Sequence, residues 1–198
     1  MYPLLKPIPI REELLKRGSI IFTPQDFQRI FQSTRSRTKY FLEEYTRGGL
    51  FLRLKKGLYT LKSDLPPEEE IANLLYRPSY ISLEYAMGTY NILIEMTYSI
   101  TSATPQPTRI FEVGDQTFTY STIQRKAFTG YIPAKRRGRT VLIAEPEKAL
   151  VDYLYFVSLG KKPKNERLNT SGLVAEKVWH YASLYQRKGL DKLLKEVL

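Results

Sequence analysis

Ser33-Thr34-Arg35-Ser36-Arg37-Thr38-Lys39-Tyr40-Phe41-Leu42-Glu43-Glu44-Tyr45 is followed a few residues later by Leu50-Phe51-Leu52-Arg53-Leu54-Lys55-Lys56-Gly57-Leu58-Tyr59-Thr60-Leu61. The first piece reads as a basic helix capped by Ser33 or Thr34 and closed by Arg47-Gly48-Gly49. The second reads as a strand, a Lys-Lys-Gly turn and a returning strand. A helix with cations at its start, followed by a cationic hairpin, is the pattern of a winged helix-turn-helix. In that arrangement the helix enters the major groove and the hairpin lies along the phosphates.

Upstream, Ile10–Arg17 is expected to be helical, with Ile10, Leu14 and Leu15 as its apolar stripe and Gly18 as its stop. Ile20-Ile21-Phe22 is a short extended run. Thr23-Pro24-Gln25-Asp26 starts a second helix: a hydroxyl cap, proline at the first helical position and an acid in the first turn. Three helices and a hairpin within residues 1–64 predict a complete small domain.

Charge is concentrated in the same region. The 198 residues carry a formal charge of +11. Residues 1–62 hold 13 Lys/Arg against 5 Asp/Glu, a net of +8, and the rest hold 18 against 15, a net of +3. That asymmetry predicts a polyanionic partner, nucleic acid first. The absence of cysteine excludes a disulfide framework and thiolate metal sites. The N-terminal stretch Met1-Tyr2-Pro3-Leu4-Leu5-Lys6-Pro7 lacks the apolar core of a signal peptide, and no window has the length of a membrane span. The expectation is a cytoplasmic protein with no membrane partner.

From Asp64-Leu65-Pro66-Pro67 onward the chain reads as a second domain, residues 65–198. Helices are expected at Glu68–Tyr76 and, capped by Ser82, at Leu83–Tyr90. Strands are expected at Met96–Thr101, Arg109–Val113, Phe118–Ile123 and Val141–Ala144. Then come a helix at Glu145–Val157, a polar loop at Lys161–Asn169, a long helix at Ser171–Lys188 and a short one at Leu190–Val197. The fold class predicted is α+β: a winged helix-turn-helix, then a mixed domain with a central β-sheet and flanking helices.

Three blocks, in matching order, resemble the AbiEi family, the antitoxins and transcriptional regulators of type IV toxin–antitoxin (abortive infection) systems. Leu50–Tyr59 resembles that family's strand–basic–Gly–x–Tyr wing. Pro78-Ser79-Tyr80-Ile81-Ser82-Leu83-Glu84-Tyr85-Ala86 is similar to its Pro-x-Tyr-(Ile/Val)-Ser-x-x-x-Ala junction. Val141-Leu142-Ile143-Ala144-Glu145-Pro146-Glu147-Lys148-Ala149-Leu150-Val151-Asp152 is close to its strand-then-Pro-Glu-Lys-Ala-Leu-x-Asp block, with Glu145 where the family has Asp. The likeness spans roughly residues 10–157. It implies a repressor that binds inverted repeats near its own promoter. It also implies a C-terminal domain that counters a nucleotidyltransferase-like toxin without forming a stable complex with it. The C-terminal domain then has the antitoxin role or a dimer contact in a homodimer.

Within the basic helix, Thr38, Phe41, Leu42 and Tyr45 fall on one stripe and are expected in the core. Arg35, Ser36, Lys39 and Tyr40 face the other way, with Arg35 placed to read guanine and Arg37 to meet phosphate. In the hairpin, Arg53, Lys55 and Lys56 are the expected phosphate contacts, with Tyr59 packing beneath. Lys135-Arg136-Arg137-Gly138-Arg139 is either a solvated loop before a strand or a second nucleic-acid patch. Glu145, Glu147 and Asp152 beside Lys148 suggest a metal-dependent nuclease, but the spacing disagrees, since Glu147 and Lys148 are adjacent, and a proline-led helix start with acids beside it is the preferred and complete explanation. His180, the one histidine, has no nucleophile motif or metal-ligand partners near it. No catalytic residue, metal site or cofactor is expected. The alternatives from other classes are a metal-dependent nucleic-acid-processing enzyme and a protein-interaction module.

Overall fold

The computed structural model describes residues 6–18, 20–95 and 97–198. The N-terminal stretch 1–5 and Met96, the first residue of an expected strand, lie outside the described residues. The protein is α+β and divides into two compact units, Met1–Pro67 and Glu68–Leu198.

In the first unit, α1 (Pro7–Lys16) begins on a proline whose fixed φ suits the first helical turn, and it buries Ile10 and Leu14, one turn apart. After β1 (Ile21–Phe22), α2 (Pro24–Phe31) opens with a capping box. The Thr23 hydroxyl accepts the Asp26 backbone N–H at 3.2 Å, and the Asp26 carboxylate accepts the Thr23 N–H at 3.0 Å. The Asp26 carboxyl is pushed up by burial, but the Thr23 bonds and Arg29 outweigh this and hold it below its ordinary range. α3 (Arg35–Arg47) is capped by the Thr34 hydroxyl. Thr38 is buried beneath it, 2.7 Å from the Ser33 hydroxyl, which fixes the α2–α3 turn. β2 (Phe51–Lys55) and β3 (Leu58–Leu61) form a hairpin whose turn holds Gly57 at φ +79°, a conformation that favours glycine.

The sheet order is β1-β3-β2, all antiparallel, with Phe22 opposite Tyr59 and Phe51 opposite Leu61. The core of this unit is Ile10, Leu14, Phe22, Phe27, Leu42, Phe51 and Leu61. Phe51 is its hub: its ring meets Phe22 at 5.1 Å, Tyr45 at 5.8 Å and Phe27 at 6.1 Å, each edge-to-face. Phe41 and Tyr45, expected in the core, are half-buried at its margin.

The second unit is built on a six-stranded mixed sheet of order β6-β7-β5-β4-β9-β8. Its elements are α4 (Glu68–Leu75), β4 (Tyr80–Ile81), α5 (Leu83–Thr89), β5 (Ile100–Thr104), β6 (Arg109–Val113), β7 (Gln116–Thr122), β8 (Tyr131–Arg136), β9 (Arg139–Ala144), α6 (Pro146–Ser158), α7 (Ala175–Ser183) and α8 (Lys188–Val197). β4 runs parallel to β9 and β5 parallel to β7; the other pairs are antiparallel. Because β4 is short, the backbone of Leu142 on β9, opposite Pro133 of β8 on one side, has no strand partner on the other. Asn73 fills the gap: its amide donates to the Leu142 carbonyl at 3.2 Å and accepts the Leu142 N–H at 2.6 Å.

Several elements differ from the sequence expectation. Lys135–Arg139 is a hairpin, not a loop: Lys135 and Arg136 end β8, Arg137 and Gly138 make the turn at positive φ, and Arg139 begins β9. Pro133 lies within β8, which is an edge strand, where a missing N–H costs nothing. The expected long helix at Ser171–Lys188 is shorter, Ala175–Ser183, and the break before the last helix falls at residues 184–187, where Gln186 adopts φ +49°, and not at Gly189. Ser82 occupies the cap position of α5, yet its hydroxyl does not cap; Thr101 accepts the Tyr85 N–H at 3.1 Å instead.

The same Ser82 hydroxyl donates to Asp152 at 2.8 Å, inside a buried network on α6. Asp152 also accepts from the hydroxyls of Tyr80 and Tyr185 and from the Lys148 ammonium. Lys148 and Asp152 are both fully buried. α6 is buried on nearly every side, from Glu147 through Leu154 and again at Phe156. Where it starts, Gly130 has φ +75°, and a β-carbon there would lie 2.6 Å from the Tyr181 ring, so that approach requires glycine. Among the described residues no helix is long and apolar enough to cross a membrane.

Candidate nucleic-acid interface

α2, α3 and the β2–β3 hairpin enclose an open groove of about 980 Å³ in the first unit. Arg35, Ser36 and Lys39 line it from α3, and Arg53, Lys56 and Gly57 from the hairpin. The two clusters singled out in the sequence therefore share one concave surface. Burial of Thr38 and Leu42 fixes the rotation of α3, which turns Arg35 and Lys39, four residues apart, to the same side. Arg35, Lys39, Arg53 and Lys56 bring four cations to the groove against the single carboxylate of Glu43, so its field is positive. Lys39 and Glu43 are 3.9 Å apart and both well exposed, a spacing that holds neither charge firmly.

Three of the expected contact residues lie off this lining. Arg37 and Tyr40 are exposed further round α3, with Tyr40 62% exposed and its ring centre 5.7 Å from that of Phe41, edge-to-face. Lys55 is half-buried on β2, opposite Leu58. Tyr59 packs against the core as expected, and also lines the groove.

Gln25 and Gln28 of α2, which the sequence reading passed over, line the groove from the opposite wall. Their spacing of three, on the side of α2 away from Phe27, was the available signal. Glutamine can hold adenine through two hydrogen bonds, and shorter polar reach suffices for phosphate.

In the second unit the cationic hairpin tip is partly engaged. Lys135 donates to the Thr140 hydroxyl at 2.9 Å, and Arg139 lies 3.7 Å from Glu70. Arg137 is exposed and Arg136 half-buried. The acids of the Glu145 block do not converge. Glu145 accepts from the Tyr181 hydroxyl at 2.6 Å, Glu147 is buried and accepts the Val174 N–H at 3.2 Å, and Asp152 has the four donors already described. Among the described residues no group of three or more His, Asp or Glu side chains is arranged to hold a metal ion. His180 is exposed on α7.

No protein-family model matches the chain, and a search of curated proteins finds no match to it.

Proposed function

We propose that the first unit is a winged helix-turn-helix that binds duplex DNA, and that the chain acts in the cytoplasm as a repressor and as the antitoxin of a type IV toxin–antitoxin system. The observation that supports DNA binding is the shared groove. Arg35, Ser36 and Lys39 on α3 and Arg53 and Lys56 on the hairpin line one positive, concave surface. In this reading α3 lies in the major groove with Arg35 at guanine O6 and N7, and the hairpin cations meet phosphate. The antitoxin role rests on the three sequence blocks that resemble the AbiEi family. It carries with it a nucleotidyltransferase-like toxin as functional partner, countered without a stable complex.

The test is fluorescence anisotropy with duplex DNA from the region upstream of the chain's own reading frame, against a scrambled duplex. Tighter binding to the upstream DNA is expected, with the preference reduced in Arg35→Ala/Lys39→Ala. Equal affinity for both duplexes, or no loss in that variant, overturns the DNA reading.

A further inference from the structure

The two edges of the six-stranded sheet are finished differently. β8, at one edge, carries Pro133, Lys135 and Arg136. Proline and cations along an edge keep it from pairing with another chain. β6, at the other edge, reads Arg109-Ile110-Phe111-Glu112-Val113. It has no proline or lysine, pairs with β7 in unbroken register, and leaves Ile110 61% exposed. We propose that β6 is the contact of a homodimer, pairing antiparallel with β6 of a second copy so that the two Ile110 side chains meet on a twofold axis. This rests on the sheet alone and is independent of DNA binding.

The register follows from the free backbone groups. Val113 and Gln116 close a two-residue turn with Gly114 at φ +59°, so they form a hydrogen-bonded pair. Such pairs alternate along an antiparallel ladder. Arg109, Phe111 and Val113 therefore bond to β7, and the N–H and C=O groups of Ile110 and Glu112 point away from the sheet. Among the described residues no further strand takes them.

A twofold axis perpendicular to the sheet sets only residues of the same face opposite each other. Centring it on Glu112 opposes two carboxylates, and centring it on Phe111 sets each Glu112 against Ile110. Centring it on Ile110 joins the exposed apolar side chains and places Glu112 opposite Thr108 and Arg109 opposite Phe111. The Arg109 guanidinium already lies 5.8 Å from the Phe111 ring of its own chain, and the pairing offers it a second ring. Joining two β6 strands leaves only β8 strands at the outer edges, and their proline and cations stop growth at the dimer. One short strand is a small contact, in the weak class below about 1,200 Å².

The chain contains no cysteine, so a single introduced thiol reports on one position. Opposed Cα atoms at a hydrogen-bonded pair are about 5.5 Å apart, within disulfide reach. Ile110→Cys in the full chain is expected to give a covalent dimer under mild oxidation. Glu112→Cys is not, because four residues of strand, about 13 Å, separate it from its counterpart. Sedimentation velocity of the parent should show a monomer–dimer equilibrium with its midpoint on the order of 10 μM. Ile110→Lys, which opposes two ammonium groups, should raise the dissociation constant about tenfold or more, and Ile132→Lys on β8 should leave it unchanged. All three positions are exposed, and circular dichroism checks that each variant folds. A parent still monomeric far above that concentration overturns the interface, as do species that grow past the dimer. So does cross-linking through Glu112→Cys in place of Ile110→Cys, or a dimer indifferent to Ile110→Lys.

Discussion

The two units use charge in opposite ways. Among the described residues, the first buries no charged side chain: its core is aliphatic and aromatic, and its cations stand on the surface around a groove. The second buries Glu147, Lys148 and Asp152 in and beside its central helix. Exposed charge costs folding little and is free to meet a partner. Buried charge does the reverse, because its worth depends on every partner staying in place. The same residue types therefore stand open around a groove in one unit and serve architecture in the other.

The sharpest way to break that contrast is Asp152→Ala. It leaves the Lys148 ammonium buried without its carboxylate and strands the hydroxyls of Tyr80, Ser82 and Tyr185. A loss of about 3–5 kcal/mol is expected in urea denaturation. A change under about 1 kcal/mol would mean the network contributes no more than a surface pair. The network also sets an alkaline limit. Burial, followed by the neighbouring Asp152 charge, raises the Tyr80 and Tyr185 hydroxyls well above their ordinary value of 10.0. A group raised in the folded state stabilises fully below its unfolded pKa and loses that contribution as pH climbs. Stability measured against pH should therefore fall above about pH 10.

Arg35→Ala should act the other way round. The side chain is exposed, so thermal stability should move by no more than about 0.5 kcal/mol. DNA affinity should fall by about 1–3 kcal/mol, with relaxed preference at one guanine position. Finding the stability effect larger than the binding effect would erase the distinction between the units.

The hairpin lysines allow a finer cut. Lys56 lines the groove, whereas Lys55 is half-buried on the strand. Lys56→Ala is expected to lower the slope of log K against log salt by about 0.9, the amount for one phosphate contact, and Lys55→Ala by less. Equal slopes for the two variants would show that burial on β2 does not decide which lysine reaches the backbone.

The sequence was most readable where structure is local. Thr23-Pro24-Gln25-Asp26 announces α2 because every atom of its cap lies within four residues, and Lys55-Lys56-Gly57 announces a turn for the same reason. Lys148 and Asp152 were illegible on the same grounds. Their i, i+4 spacing is that of a solvated surface pair. Only Tyr80, Ser82 and Tyr185, which lie 72, 70 and 33 residues from Asp152 along the chain, make the site interior. Gln25 and Gln28 belong between these cases: their helix was evident, but only α3 and the hairpin give them a groove to face. β8 was hidden by Pro133 and its cations, features that suit an edge strand but weaken its pattern in one dimension.

The smallest effect expected is on the acid side, and it belongs to the first unit. Asp26 and Asp64 both have carboxyls below their ordinary value of 3.8. For Asp64 the Arg11 guanidinium is the first cause, donating at 2.6 and 2.7 Å, with the Ser63 hydroxyl second. For Asp26, burial opposes the shift and the Thr23 bonds and Arg29 overcome it. A carboxyl lowered in the folded state contributes stability above its unfolded pKa and loses it as pH drops through the folded one. Stability should therefore be full at neutral pH and decline below about pH 4. Asp26→Asn should flatten that decline and cost about 0.5–1 kcal/mol at pH 7, toward the low end because the side chain is 37% exposed and water screens it. If the acid decline is as steep in Asp26→Asn as in the parent, the cap carboxylate is not among the groups that titrate with unfolding. The first unit would then owe its acid sensitivity to the Arg11–Asp64 pair, which Asp64→Asn tests by the same measurement.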